Sequence, residues 1–402
     1  MTWPPSCCAT TISRRRPSRW PDASPCGCYP EARFIEFLEK QGRLNRAIEF
    51  LPSNDEIAER RARKVGLTNP ECSVLLAYSK IWLKDEFVES DLPEDVEIAT
   101  ALARYFPPAL QDQFGGLMPR HRLKREIIAN HVVNSMVNRV GPTFVHQMLE
   151  TTGARVPEII RAYLLTRAVF GFVALWQKVE ALDNKVADAV QSEMLVEAGR
   201  LVSRGTTWFL RSPRLAEPLG ATIERFAPGV DALDPMIPSL LDPQAMAPIT
   251  EQALQWTQAG VPAALAQRVS SLDTLFAGLD VSEVAVQSER PFATTAGVYF
   301  GVTARLGLQW LRGRINALPG DGHWQVLARN SLRDDLASLQ RSLARQALGG
   351  SSDDPATLVS EWEARNKVPL ERVARIMGEL RAVPAPDVAM VSVALRELRN
   401  LG

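Results

Sequence analysis

The sequence is poor in the residues that usually build metal centres and disulfide frameworks. It holds only four histidines, and no two of them stand four residues apart, the spacing that places two zinc ligands on one helix face; they are His121, His131, His146 and His323. Four of its five cysteines lie within the first 28 residues, whereas a disulfide framework spreads its cysteines through the fold. The fifth, Cys72, stands among apolar residues and is predicted to be a small core side chain. We therefore expect no metal ligand in this chain.

Motifs for nucleotide binding and for catalytic zinc are also missing. No G-x-x-x-x-G-K-[ST] phosphate loop and no H-E-x-x-H motif occurs. The nearest match to a dinucleotide-binding turn is PGDGHW at residues 319–324, which lacks both the preceding strand and the third glycine that the backbone needs to approach a pyrophosphate. This segment is predicted to be a turn between helices. The sequence thus predicts no catalytic residue, no cofactor-binding residue and no cofactor in this chain.

The chain lacks an excess of either charge and lacks a long apolar run. Its 46 basic residues balance 46 acidic ones, so no net positive field favours nucleic acid or an anionic membrane surface. The longest apolar run, AYLLTRAVFGFVALW, is interrupted by Thr166 and Arg167 and is shorter than the roughly 18 residues of a membrane span. No apolar signal-peptide segment follows the N-terminal arginines. We expect a buried helix pair here, no nucleic-acid or membrane partner, and a cytoplasmic location.

What the sequence does contain is helical periodicity almost throughout. In HRLKREIIANHVVNSMVNRVG the apolar residues recur every three or four positions and Gly141 follows as a terminator. Capping boxes are predicted at Thr68 with Glu71 and at Asp91 with Glu94. No segment alternates like a strand. The predicted fold is all-α, a multi-helix array of amphipathic helices in two or more packed sub-bundles.

The predicted domain organisation follows the proline and glycine content. A disordered arm is expected at residues 1–31, a helical subdomain at 32–210, a proline-rich connection at 211–248 and a C-terminal helical subdomain at 249–402. Within these, continuous helices are predicted at 172–204, 262–277 and 291–316, among others. Asp183 and Asn184 within the first of these could form a cap or a solvated turn.

One row of polar residues is a candidate contact surface. Asn130, Asn134 and Asn138 stand four residues apart and would align on one helix face, beside Arg139. The functional interpretation is a polar contact surface for another domain. The structural interpretation, an exposed polar stripe or a buried polar network, is the simpler one.

Several long stretches resemble a known family. They are GRLNRAIEFLPSNDEIAERRARKVGLTNPECSVLLAYSKI, HRLKREIIANHVVNSMVNRVGPTFV, RAYLLTRAVF, LWQKVEALDNKV, GVPAALAQRV and LGLQWLRGRI. On these stretches, the chain from about residue 32 to about residue 342 is similar to the C-terminal helical region of the large bacterial NAD-specific glutamate dehydrogenases. The resemblance implies a full enzyme that oxidatively deaminates L-glutamate to 2-oxoglutarate and ammonia with NAD. It also implies that the dinucleotide-binding domain and the substrate-binding residues lie upstream.

The resemblance therefore predicts an all-α fragment that serves assembly or regulation and is inactive alone. Its partners would be the catalytic part of the same enzyme and further copies in a homo-oligomer. The alternative is a free-standing helical scaffold or adaptor that binds a partner protein. An upstream reading frame that encodes a dinucleotide-binding domain would favour the first hypothesis, and its absence the second.

The N-terminal stretch SCCATTISRRRPSRW departs from the family. Adjacent cysteines suit zinc poorly, and the prolines around this stretch prevent the amphipathic helix of a targeting peptide. Back-translation of residues 7–12, shifted by one base, permits the Leu-Leu-Arg-Asp-Asn-Tyr segment that the family carries before the helix RFIEFLEKQGRL. We therefore expect residues 1–31 to be an out-of-frame translation, caused by one insertion or deletion near codon 31.

Overall fold

The chain folds into helices, as the periodicity predicts. A computed structural model describes residues 29–63, 65–319 and 323–401, and no β-strand occurs in these ranges, which confirms the all-α class. The chain divides into two compact units, residues 1–224 with 259–261 and residues 225–258 with 262–402. The division falls inside the stretch 211–248 that was predicted as a connection.

The first unit contains ten α-helices in its described residues and the beginning of an eleventh. They are α1 Tyr29–Lys40, α2 Asn54–Ala62, α3 Asn69–Glu89, α4 Val96–Tyr105, α5 Pro108–Phe114, α6 Lys124–Val140, α7 Phe144–Thr152, α8 Val156–Val169, α9 Phe172–Glu180 and α10 Asp188–Arg211, followed by α11 Leu219–Leu240. Helix α6 packs against α3 and α4, and α8 packs against α10. Cys72 is buried in α3, as predicted for a core side chain.

The starts of α3 and α4 differ in whether the local sequence predicts the capping residue correctly. At the start of α3 the Thr68 amide donates to Oε2 of Glu71 at 2.6 Å, which confirms the predicted capping box. The box predicted at Asp91 is wrong. Asp91 opens a short 3-10 turn, while Asp95 caps α4 by accepting a 3.0 Å hydrogen bond from the Glu97 amide. Glu94 instead pairs with Lys124 and Arg125 of α6.

The long helix predicted at 172–204 is interrupted. Helix α9 ends at Glu180 and α10 begins at Asp188, with Asn184 between them in the left-handed region at φ 62°. Asparagine tolerates that region better than most residues, which explains the turn. Oδ1 of Asp183 accepts a 2.7 Å hydrogen bond from Nε2 of Gln191, so this side chain links the turn to α10.

Close packing between α8 and α10 depends on a glycine. Gly205 of α10 faces Thr166 of α8, and a Cβ atom at Gly205 would lie 2.4 Å from Cγ2 of Thr166. Both residues are buried. The absence of a side chain therefore permits the two helices to approach each other.

The proline-rich stretch 211–248, predicted as a connection, is mostly helical. Helix α11 contains three prolines, at positions 228, 235 and 238. Its buried residues Phe226, Val230, Leu233 and Ile237 recur every three or four positions. Packing of this apolar stripe outweighs the backbone hydrogen bonds that the prolines remove.

The second unit continues with ten further helices in its described residues, and two of the predicted helices are interrupted. They are α12 Pro243–Gln258, α13 Ala263–Ser270, α14 Leu272–Leu275, α15 Ala277–Ser288, α16 Phe292–Leu306, α17 Leu308–Asn316, α18 His323–Leu348, α19 Pro355–Arg365, α20 Lys367–Ala382 and α21 Val388–Arg399. The helix predicted at 291–316 breaks at Gly307, whose φ is 64°. The helix predicted at 262–277 breaks at Ser271 into α13 and the short α14, and α15 begins at Ala277. Helix α18 packs against α15, α16 and α21 around a buried apolar core.

Some predictions concern residues outside the described part of the chain. The arm expected at 1–31 lies there up to residue 28, together with Cys7, Cys8, Cys26 and Cys28, and so do residues 320–322 of the predicted PGDGHW turn. Residues 29–31 belong to α1, which corrects the predicted end of the arm.

The longest apolar run forms the predicted buried helix pair. Helices α8 and α9 carry it, and they are bent by 70° at a break that contains Gly171, whose φ is 63°. Leu165 and Phe172, on either side of the break, are fully buried. Among the described residues no single helix is long and apolar enough to cross a membrane, and this bent pair passes that test only when its two helices are taken together.

Candidate functional site

The polar row predicted on α6 is partly assembled in the structure. Nδ2 of Asn134 donates to Oδ1 of Asn130 at 3.2 Å on the exposed side of the helix. Asn138 is half-buried, and its Oδ1 has no hydrogen-bond partner among the described residues. Arg139 forms an ion pair with Glu180 of α9, and its guanidinium lies 5.0 Å from the centre of the Trp176 ring. Asn130 and Asn134 therefore form an exposed pair, while Arg139 contributes to packing inside the unit.

The histidines differ sharply in environment. Nδ1 of the exposed His121 accepts a 3.2 Å hydrogen bond from the Leu123 amide. His146 of α7 is buried, and its ring centre lies 4.7 Å from that of Phe37 and 5.5 Å from that of Phe34. Trp82 of α3 closes this aromatic cluster at 5.0 Å from Phe37. Through these ring contacts, His146 packs α7 against α1, and α1 in turn packs against α3. Its isolated position in the sequence does not reveal this role.

The electrostatics around His146 favour the neutral ring. Burial lowers its pKa below the usual 6.5, Arg33 of α1 lowers it further, and Glu150 opposes them. Nε2 of His146 lies 3.7 Å from Oε1 of Glu150, an oxygen that also pairs with Arg33 of α1. Because Glu150 is already engaged by Arg33, it compensates only part of the cost of charging His146.

A buried polar network occupies the centre of the second unit. Asp280 of α15 accepts hydrogen bonds from Tyr299 of α16 and from Arg341 of α18, at 3.2 and 2.6 Å. Nearby, Nε2 of Gln340 donates to Thr303 at 3.0 Å. These contacts tie α15 and α16 to α18. Their groups pair with one another, which is the arrangement of a structural core network.

The Phe50 loop, residues 41–53 between α1 and α2, has an unusual geometry. Phe50 is 88% exposed, and its φ of 53° lies in the left-handed region that aromatic residues avoid. The residues on both sides are held in place: Glu49 accepts a 2.6 Å hydrogen bond from the Tyr78 hydroxyl, and Leu51 is buried. The sequence reasoning missed this loop, although Asn45 and Pro52 are turn-forming residues that could have indicated it.

The part of the chain that the structure describes has surface grooves, and its metal-ligating side chains are dispersed. No group of three or more histidine, cysteine or acidic side chains could hold a metal ion there. A surface groove of about 600 Å³ lies between α1 and α2 and is lined by Ala32, Ile57, Ala58 and Arg61, among others.

Comparison with known families identifies the chain. The family model described as "Glutamate dehydrogenase, C-terminal" matches residues 64–400. The chain belongs to this family. The match confirms the resemblance stated from the sequence and extends it beyond residue 342, almost to the C-terminus.

Three curated relatives carry the name NAD-specific glutamate dehydrogenase. Those of Halomonas elongata and Pseudomonas aeruginosa are each 36% identical to the chain, over 377 and 372 residues, or 93% and 92% of its length. That of Mycobacterium tuberculosis is 32% identical over 369 residues, or 91% of the chain. In each case the match covers only 23% of the relative. The chain thus spans about a quarter of the length of these relatives.

Proposed function

We propose that the chain is the C-terminal helical region of an NAD-dependent glutamate dehydrogenase and serves the assembly or regulation of its catalytic part. In the full enzyme, L-glutamate would be oxidatively deaminated to 2-oxoglutarate and ammonia, with NAD as hydride acceptor. The dinucleotide and the substrate would be bound upstream of the region matched here. This chain would carry no catalytic residue and no cofactor of its own, and would be inactive alone.

The observation that carries this proposal is the extent of the match. A family that is defined as C-terminal covers residues 64–400, while more than three quarters of each NAD-specific relative lies outside the match. The described residues also fit a supporting role, because their best-formed clusters, around His146 and Asp280, tie helices together. We further propose that the full enzyme is a cytoplasmic homo-oligomer that binds neither nucleic acid nor membranes.

Co-purification tests the proposal. The 402-residue chain is co-expressed with a tagged polypeptide that comprises the part of the Pseudomonas aeruginosa relative preceding its matched region. We expect the chain to be retained with the tagged part through a wash at 0.5 M salt (roughly, a Debye length near 4 Å), since the contact is expected to be mainly apolar. Failure of the two polypeptides to associate would contradict the proposal. The same tag on an unrelated helical protein is the control.

A further inference from the structure

Helix α1 is attached to α3 and α7 by a cluster of aromatic rings. The ring centres of Phe34 and Phe37 in α1 lie 5.5 and 4.7 Å from that of His146 in α7. They lie 5.8 and 5.0 Å from that of Trp82 in α3. Phe34 is fully buried, and His146 is only 3% exposed. The cluster therefore exists only while α1 stays in place, and His146 is its titratable member.

One carboxylate oxygen is shared at the edge of this cluster. Oε1 of Glu150 in α7 pairs with Nη2 of Arg33 in α1, and Nε2 of His146 lies 3.7 Å from the same oxygen. Glu150 and Arg33 are the charged groups that act on the His146 ring. Among the described residues, α3, α8 and α10 add no further charge there. The charge balance around His146 thus depends on whether α1 holds Arg33 in place.

Protonation of His146 would bring two cations to this single oxygen. A neutral imidazole carries one N–H group, whereas the imidazolium ion donates from both nitrogens. Nδ1 of His146 has no hydrogen-bond partner among the described residues, and Nε2 faces Glu150. The protonated ring would therefore compete with Arg33 for Glu150, inside a buried cluster that hydrates a charge poorly. The pKa of His146 lies below its usual value accordingly, with burial as the main cause.

Movement of α1 away from α7 relieves both costs. It removes Arg33 and leaves Oε1 of Glu150 to the imidazolium ion, and it admits water to the ring. An exposed histidine takes up its proton near pH of about 6.5. The form with α1 detached therefore binds the proton more readily than the closed form, so acid shifts the population towards detachment.

We propose that α1 is a pH-sensitive latch, which is closed while His146 is neutral and opens when His146 takes up a proton and displaces Arg33 from Glu150. The inference concerns the residues of this chain alone and goes beyond the proposed function. Because the preceding polypeptide joins the first unit at Tyr29, where α1 begins, the latch sets how firmly that junction is held.

Hydrogen exchange of the 402-residue chain tests the latch. Exchange of α1 is followed by mass spectrometry at about pH 7.5 and about pH 5.5, and intrinsic rates at each pH convert the data to protection factors. Protection of α1 should fall several-fold and at most about tenfold, which is the limit for one proton about one unit below an open-state pKa of about 6.5. Protection of α10, read in the same samples, should exceed that of α1 at both pH values, because α1 opens without unfolding of the unit.

Two variants separate competition for Glu150 from burial alone. His146→Met removes the titrating group, so protection of α1 should be the same at both pH values. Arg33→Gln removes the competing cation and leaves Glu150 to the protonated ring, so the decrease should shrink to less than about twofold or reverse. A histidine perturbed by burial alone would keep its full decrease in Arg33→Gln. The matched control is Arg155→Gln in α8, which breaks an exposed ion pair with Glu158 and should keep the decrease of the unchanged chain.

Four results would overturn the inference. The first is equal protection of α1 at both pH values in the unchanged chain. The second is equal protection of α1 and α10, since α1 would then open only when the unit unfolds. The third is a full decrease in His146→Met or in Arg33→Gln, and the fourth is its loss in Arg155→Gln. None of these results bears on the proposed function, which the co-purification tests separately. If His146→Met fails to fold, Arg33→Gln still decides the question.

Discussion

The hydroxyl group of Tyr299 donates a 3.2 Å hydrogen bond to Oδ2 of Asp280 in the buried centre of the second unit. The other carboxylate oxygen of Asp280 accepts a 2.6 Å hydrogen bond from Nη1 of Arg341. Burial, together with the adjacent carboxylate, raises the pKa of Tyr299 well above its usual value. The phenol therefore stays protonated and remains a donor, and three helices depend on one carboxylate.

Loss of this carboxylate should be costly. Asp280→Ala leaves the Arg341 guanidinium without its buried acceptor and is expected to lower the free energy of unfolding by about 3 kcal/mol. Tyr299→Phe removes one hydrogen bond and should cost about 1 kcal/mol. Chemical denaturation measures both values. As a control, Asp353→Asn weakens the exposed ion pair with Arg290 and should change stability by less than about 1 kcal/mol. A similar loss in all three variants would contradict the assignment.

His146 should make the stability of the first unit depend on pH. Its folded-state pKa lies below the usual 6.5 because burial disfavours the charged ring, so the unfolded chain takes up a proton more readily. The contribution of the neutral ring is fully present above pH of about 6.5 and is lost as the pH falls through that value towards the folded pKa. We expect the midpoint of urea unfolding to decrease between about pH 7 and pH 5.

A variant isolates the His146 contribution. His146→Met keeps a side chain of similar volume without a titrating group, so this component of the decrease should disappear. His121→Gln, at an exposed position of the same unit, retains His146 and should keep the decrease. If His146→Met shows the same pH dependence as the unchanged chain, the decrease has another source.

Two glycines provide a matched pair for helix packing. Gly205→Ala would place a methyl group 2.4 Å from Cγ2 of Thr166, so α8 and α10 must separate, and we expect a loss of about 1 to 3 kcal/mol. Gly378 lies in α20 with nothing within 4 Å of a Cβ atom. Gly378→Ala should therefore stabilise the chain by up to about 1 kcal/mol through helix propensity alone. Relative to the unchanged chain, the free energy of unfolding should decrease in Gly205→Ala and increase in Gly378→Ala.

The helical class was predictable from the sequence because apolar periodicity and capping residues act locally. Thr68 with Glu71 and the terminating Gly141 show this. The breaks were predicted less well. Asn184 and Gly307 interrupt helices that periodicity alone would continue, and the prolines of α11 do not interrupt theirs, because packing of Phe226 and Leu233 outweighs local preference.

The candidate surfaces depended on tertiary structure to different degrees. The row of Asn130 and Asn134 follows from helix geometry and was predicted, whereas its role as a contact surface for another domain stays a prediction. Phe50 could not be predicted, because its exposure results from contacts of Glu49 and Arg46 with Tyr78 and Glu39. Those partners lie on other elements of the unit. The family resemblance itself was carried by long sequence stretches and was confirmed.

The most direct test of the account is the rate of glutamate-dependent NAD reduction by the purified 402-residue chain. The full-length Pseudomonas aeruginosa relative, assayed in the same buffer, is the reference. The account predicts no rate above that of a blank without protein for the chain alone, because the catalytic machinery is proposed to lie upstream. Measurable turnover that increases in proportion to the concentration of the chain would contradict it.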